Sequence, residues 1–260
     1  PILLHLIKRV VVDMEYNLGV QIRMNKLFKH DKVFIVAADH RTTIGPQKGL
    51  DISSISHMVA DKQLDGLIIR PSMAKFLANV PLKDVTLMMY LTGKLDRGVD
   101  HVQFNTVEYA VSCGADVVCS EFKFGSSGDL KNTYECSRIS ESAHKLGIPH
   151  LITTYVRPEQ LATMGPVAYA HACTIAEELG ADIIKIGLPD DDEVVQECIA
   201  SVNTPIVIAG GSKEPIDTLC QKVSNFTNKG GAGIVLGRNA WGADDREMVI
   251  DRMKNILYGI

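Results

Sequence analysis

The stretch PVAYAHACTIAEELGADIIKIG, residues 166–187, carries one full turn of the pattern that sets the fold. Its first part spaces apolar residues along one helical face and breaks at Gly180, because glycine accepts the left-handed backbone that ends a helix. After Asp182 the run from Ile183 to Gly187 is apolar on both faces apart from Lys185. Such a run suits a parallel strand covered on both sides. The same helix-stop, strand-start punctuation recurs as GAD at Gly114 and GAG at Gly231. Helices are read over Thr106–Cys113, Glu135–Leu146 and Pro166–Leu179, closing at Gly114, Gly147 and Gly180.

Working outward, eight strands are expected. They begin near Val33 (VFIVAAD), Gly66 (GLIIRP), Val85 (VTLMMY), Asp116 (DVVCSEF), Pro149 (PHLITTY), Asp182 (DIIKIG), Pro205 (PIVIAGG) and Ala232 (AGIVLG). Successive starts lie 19 to 33 residues apart, room for a crossover helix but not for a second domain. Eight βα units in a row predict an α/β fold, a (β/α)8 TIM barrel rather than an open doubly wound sheet. The barrel is assigned to residues 33–260 as a single domain, and residues 1–32 to an N-terminal helical extension. In that extension Gly19 precedes the amphipathic IRMNKLF segment, which is expected to cap the barrel floor or join a subunit contact.

Composition removes other classes. The 260 residues carry 27 Lys and Arg against 31 Asp and Glu, a net charge of −4, so no strong attraction to nucleic acid or anionic membrane follows. The six cysteines form no C-x-x-C pair, and a reduced, cytoplasmic setting is expected. No apolar run approaches the roughly 20 residues of a membrane span. The start, PILLHLIK, lacks a basic region ahead of its apolar part and reads poorly as a signal peptide, and without an initiating Met it need not be the natural N-terminus.

In such barrels reactive groups sit at the C-terminal ends of the strands. That rule selects Asp39 and His40 after strand one, Arg70 after two, Tyr90 after three, Glu121 and Lys123 after four, and Tyr155 and Arg157 after five. Lys185 lies on strand six, Gly210-Gly211-Ser212-Lys213 follow seven, and Gly237-Arg238-Asn239 follow eight. Glycine turns after strands seven and eight are where barrels often bind phosphate, and Arg238 adds a charge-assisted donor. The other reading of these glycines is tight βα turns alone. Desolvation of Lys185 in the mouth lowers its pKa and frees a nucleophilic amine, or else the lysine simply pairs with a barrel carboxylate. Tyr155 is a proton donor or a packing residue, and Asp39 a substrate contact or a turn cap. Glu121 and Lys123 are read as neutralising one another at the rim, and His40 as a hydrogen-bonding partner of Asp39. The eight histidines show no metal-ligand spacing, and no metal site is expected.

Taken in order, IRMNKLF, VAADHRTTIGPQKGL, TTYVRPE, ADIIKIGLPDD, PIVIAGGSK and GIVLGRNAW resemble the archaeal-type class I fructose-bisphosphate aldolases and their relatives. Those relatives include the aminodideoxyheptulosonate synthases and the autoinducer-2 phosphate thiolase, within the deoxyribose-phosphate aldolase superfamily. The resemblance spans roughly residues 18–257 and implies that Lys185 forms a Schiff base, Tyr155 is the acid/base and Asp39 contacts the reacting part of the substrate. It further implies that Gly210, Gly211, Ser212, Gly237 and Arg238 hold a phosphate, that no metal or other cofactor is needed, and that the protein is a homo-oligomer. Arg41 stands where relatives usually have Gly, which adds positive charge suited to a second anionic group. Two other departures are Pro158 after Arg157, where relatives have Gly, and Ile186-Gly187-Leu188 after the lysine, where many have a small polar residue and an aromatic. The function implied is a class I aldolase-type carbon–carbon lyase or transferase on a phosphorylated ketose. The rivals are an acyl-transferring thiolase, an acid/base sugar-phosphate isomerase, and a non-catalytic phosphosugar-binding protein.

Overall fold

The computed structural model describes residues 17–60, 64–95, 101–125, 129–187, 189 and 191–259. Residues 1–16 of the expected helical extension, and Leu188 after the lysine strand, lie outside the described residues. Eight strands follow the chain: β1 (Val33–Ala37), β2 (Gly66–Ile69), β3 (Thr86–Tyr90), β4 (Val117–Phe124), β5 (His150–Val156), β6 (Ile183–Gly187), β7 (Ile206–Ala209) and β8 (Gly233–Leu236). Each is parallel to its neighbours, and the sheet closes in the order β1-β8-β7-β6-β5-β4-β3-β2. The seam sets Val33 opposite Gly233 and Val36 opposite Leu236. The expected (β/α)8 barrel is the observed fold.

Strand side chains alternate between two cores. Ile35, Ala37, Ile68, Met88, Tyr90, Cys119, Leu151, Ile183, Val207 and Val235 fill the barrel interior. Phe34, Val36, Leu67, Met89, Val118, Ile152, Ile184, Ile208 and Leu236 face outward into the layer of helices. Both faces are dry, which is why the strands read as continuous apolar runs. The helix Leu18–Leu27 closes the N-terminal end: Leu27 is fully buried with the interior set, and Met24 and Phe28 pack beside it.

The helices match their sequence signals with small shifts. One runs Val107–Ser112 with Thr106 as its cap, and another Val167–Glu178, followed by Gly180 at φ +89°. The helix expected over Glu135–Leu146 starts earlier, at Asp129, and runs to Lys145; the acidic residue in its first turn suits the positive end of the helix. One element has no counterpart in the sequence reading. After β3 the chain makes a two-residue antiparallel ladder, Thr92 with Gln103 and Gly93 with Val102, too short for any periodicity to reveal.

Candidate active site

The inward positions near the strand ends continue the interior core into polar residues. Two residues beyond Cys119 comes Glu121, and two beyond Ile183 comes Lys185, so both face the barrel mouth. Register sets Glu121, Thr153, Lys185 and Val207 in one row across β4 to β7. Lys123 and Tyr155 form the next inward pair above it. Asp39 and Arg70 extend β1 and β2 by the same parity. Lys185 and Glu121 are each only 9% exposed.

The charges in this mouth are arranged unevenly. Burial pushes the Asp39 carboxyl upward, but His40, Arg70 and Lys185 outweigh it and hold Asp39 below the ordinary carboxylate range. An Arg70 Nη2 lies 3.8 Å from Asp39, and its guanidinium stacks over the rings of Tyr90 (5.3 Å) and Phe104 (5.5 Å) while donating to the carbonyls of Tyr90 (3.2 Å) and Thr92. For Glu121 burial dominates and its carboxyl moves upward, against the pull of Lys185, Lys94 and Lys123. Two carboxyls facing one lysine are thus pushed apart in acidity. Burial also raises Tyr155, which stays a protonated phenol.

Lys185 corrects an expectation. Burial pulls its ammonium down, as the sequence suggests, yet Tyr155, Asp39, Glu121 and Cys119 together carry it above the ordinary lysine value. Its resting form is therefore the ammonium, which these neighbours favour by more than desolvation disfavours it. Gly187, two residues on, makes room for its neighbour: a Cβ there would lie 3.2 Å from Cδ1 and Cε1 of Tyr155. That contact gives a reason for the glycine.

The two glycine turns are stapled together. Asn239 Nδ2 donates to the carbonyls of Gly210 (2.7 Å) and Ser212 (2.9 Å), its Oδ1 accepts from Glu214 N (3.1 Å), and Arg238 Nη2 donates to Gly211 O (3.0 Å). Trp241 Nε1 reaches across the seam to Ala37 O at 3.1 Å, and the His40 ring lies against Gly237 and 5.8 Å from the Trp241 ring. His40 Nδ1 is 3.6 Å from Asp39, and burial lowers its pKa.

Other expected residues stand further out. Lys213 is over half exposed and 3.6 Å from Asp244, and Arg41 is exposed on the short helix Arg41–Ile44. Arg157 donates from Nε (3.1 Å) and Nη2 (2.9 Å) to Asp129 at the start of the preceding helix, Asp129–Lys145. Glu121 does not use Lys123 as its near partner. His101 fills that place, with Nε2 3.2 Å from Glu121 Oε1 and Nδ1 3.5 Å from Thr92 Oγ1. The sequence reading passed over His101 and Asn239: the first arrives through the short ladder after β3, and the second was read only as part of a turn. No helix among the described residues is long and apolar enough to cross a membrane.

The architecture agrees with the proteins the chain resembles. It is 30% identical over 251 residues to 2-amino-3,7-dideoxy-D-threo-hept-6-ulosonate synthase 1 of Archaeoglobus fulgidus, covering 95% of this chain and 94% of that protein. A synthase of the same name from Halobacterium salinarum is 28% identical over 228 residues, 86% of this chain and 85% of its own. Among solved structures, a Schiff base forming fructose-1,6-bisphosphate aldolase superposes with a TM-score of 0.83 at 26% identity, covering 92% of this chain and all of that one. The pattern of the DeoC/LacD family aldolases matches residues 33–243, the whole run from β1 past β8. The chain belongs to the DeoC/LacD aldolase family and is an enzyme of the aldolase type.

Proposed function

We propose that this enzyme cleaves or transfers a carbon fragment of a phosphorylated ketose through a Schiff base on Lys185. The observation that carries the reading is the Lys185 amine, the one buried lysine among the described residues, on β6 with Asp39, Glu121 and Tyr155 around it. Once deprotonated, that amine adds to a ketone, and loss of water leaves an iminium that draws electrons from the adjacent carbon–carbon bond. Tyr155, protonated and packed against Gly187, moves the proton of the hydroxyl at the bond that breaks. Ionised Asp39 accepts a hydrogen bond from a substrate hydroxyl, with His40 beside it.

The phosphate is assigned to Gly210, Gly211, Ser212, Lys213, Gly237 and Arg238. Arg238 and Asn239 engage the carbonyls of residues 210–212. In a trans peptide the following N–H points the opposite way, so the amides of Gly211, Ser212 and Lys213 turn away from the staple as a group of donors. Arg41, at the start of the short helix after β1, is assigned to a second anionic group. All six cysteines are free, which supports a reducing, cytoplasmic compartment, and exposed Leu18, Ile22, Leu130 and Tyr134 support a homo-oligomer, checked by light scattering.

Transfer is the second reading, favoured by two relatives that carry synthase names. Product analysis with and without an acceptor aldehyde separates it from cleavage. For the Schiff base itself, incubation with fructose 1,6-bisphosphate, dihydroxyacetone phosphate and other phosphorylated ketoses, then borohydride, is expected to add the reduced ketose to the peptide carrying Lys185. Lys185→Ala is expected to lose adduct and turnover together. Turnover with Lys185 left unmodified would favour the acid/base isomerase instead.

A further inference from the structure

We infer that Glu121 is a catalytic proton-transfer group, taking the ammonium proton of Lys185 before attack and returning it as water leaves, with His101 as its positioning residue. This rests on the Schiff-base reading. The resting Lys185 is an ammonium, which has no lone pair, so some neighbour must accept a proton before the amine can add to a carbonyl. Three groups face it. Tyr155 is a protonated phenol and has no capacity to accept another proton at neutral pH. Asp39 is held low by His40, Arg70 and Lys185, so it is a weak base. Glu121 is the stronger base of the two carboxylates, and it shares a register row with Lys185, one strand intervening. Adjacent strands lie about 4.8 Å apart, so these two long inward side chains start about 10 Å apart and reach into the same mouth, within proton-transfer range of one another once either bends toward its neighbour.

The surroundings of Glu121 fix it for that task. Its backbone N–H donates to Thr92 Oγ1 (3.1 Å), the Thr92 hydroxyl lies 3.5 Å from His101 Nδ1, and His101 Nε2 lies 3.2 Å from Glu121 Oε1. Donors and acceptors balance in one direction only. The Glu121 carboxylate can only accept, so the neutral His101 ring carries its proton on Nε2 and donates it there, which leaves Nδ1 to accept from the Thr92 hydroxyl. The ring closes on Oε1. Oε2 accepts from the Tyr90 hydroxyl at 3.5 Å and keeps a second lone pair for exchange with Lys185. Burial, with Lys94 and Arg70 nearby, lowers the His101 pKa to about 3, so the ring stays neutral and orients the carboxylate without competing for the proton.

The step balances without another reagent. Lys185 ammonium and Glu121 carboxylate become amine and carboxylic acid. The amine nitrogen bonds to the ketone carbon, and a proton passes from that nitrogen to the former carbonyl oxygen, giving the neutral carbinolamine. Glu121 then protonates the hydroxyl, the C–O bond breaks, water departs, and the nitrogen lone pair closes the iminium. Glu121 is again a carboxylate.

The test is the single-turnover rate at which dihydroxyacetone phosphate or fructose 1,6-bisphosphate becomes borohydride-trappable on Lys185. Glu121→Gln is isosteric and keeps an oxygen for His101; its trapping rate is expected to fall by about 100-fold or more. Added formate is expected to restore trapping in Glu121→Ala. His101→Ala is expected to shift the acid limb of the trapping-rate profile to higher pH, because the lost N–H donor had favoured the charged carboxylate. His101→Gln, which retains a donor, is expected to shift it back. The groups facing Glu121 in that profile are Lys185, Lys94, Lys123, Asp39, Tyr90 and His101. Trapping in Glu121→Gln within about threefold of the unmodified enzyme overturns the inference, since a proton-transfer group is worth far more. So does a folded Glu121→Ala that formate leaves unchanged. If the unmodified enzyme traps no ketose, the Schiff-base reading falls first and takes this inference with it.

Discussion

Burial alone would give Lys185 a free amine, and the carboxyls and phenol around it reverse that. The same competition, decided the other way, governs His150 on the outward face of β5. It is fully buried, with Nε2 2.8 Å from Ser120 Oγ and Nδ1 2.8 Å from Ser140 Oγ, and burial lowers its pKa to about 3. Between that value and the unfolded value near 6.5 the unfolded chain binds more protons than the native one. Stability is therefore full above pH 6.5 and falls as the pH drops through the window, by about 1.4 kcal/mol per pH unit well inside it. His101 adds a loss of the same sign. His144, raised by Asp182, acts oppositely: its contribution is present below pH 6.5 and is lost as pH rises through its folded value. Urea unfolding between pH 7 and 5 is expected to show the acid loss, and His150→Asn to flatten it. At the site, Tyr155→Phe is expected to lower kcat by about 10²–10⁴-fold with a smaller change in KM, read by steady-state kinetics.

Among the elements, the strand starts share one device. Asp65, Asp116 and Asp182 stand immediately before β2, β4 and β6, and each accepts the backbone N–H of a residue on the preceding strand: Phe34, Leu87 and His150, at 2.8 to 2.9 Å. Each also meets a cation or histidine, Lys29, Lys26 and His144 in turn. This explains the GAD punctuation physically: glycine ends the helix, and the aspartate locks the next strand to its neighbour. Asp116→Ala leaves the Leu87 N–H unpaired and is expected to cost about 1–3 kcal/mol in urea unfolding. Lys26→Ala, which removes a partly exposed ion pair, is expected to cost at most about 1 kcal/mol. The periodic strands and glycine-closed helices were legible because each obeys a local rule. The ladder after β3 was not, since two-residue pairings carry no pattern, and with it His101 went unseen.

Across the whole molecule the seam between β1 and β8 joins the parts of the site. Trp241 bonds Ala37, His40 rests on Gly237, and Asn239 ties β8 to the loop after β7. If that joint binds phosphate, inorganic phosphate at about ten times its Kd raises stability by about 1.4 kcal/mol, seen as a higher Tm, and Arg238→Ala abolishes the gain. A Tm indifferent to phosphate in the unmodified protein would reject the assignment. The sequence by itself determined the barrel and singled out Lys185 as a candidate, because strand spacing, helix stops and a charged residue in an apolar run are local facts. Tertiary structure alone decided which charges share the mouth. It tied Arg157 to Asp129, turned Lys213 toward Asp244, brought His101 to Glu121 and kept Lys185 protonated. Those outcomes depend on distances and burial across eight strands, which no single stretch of chain encodes.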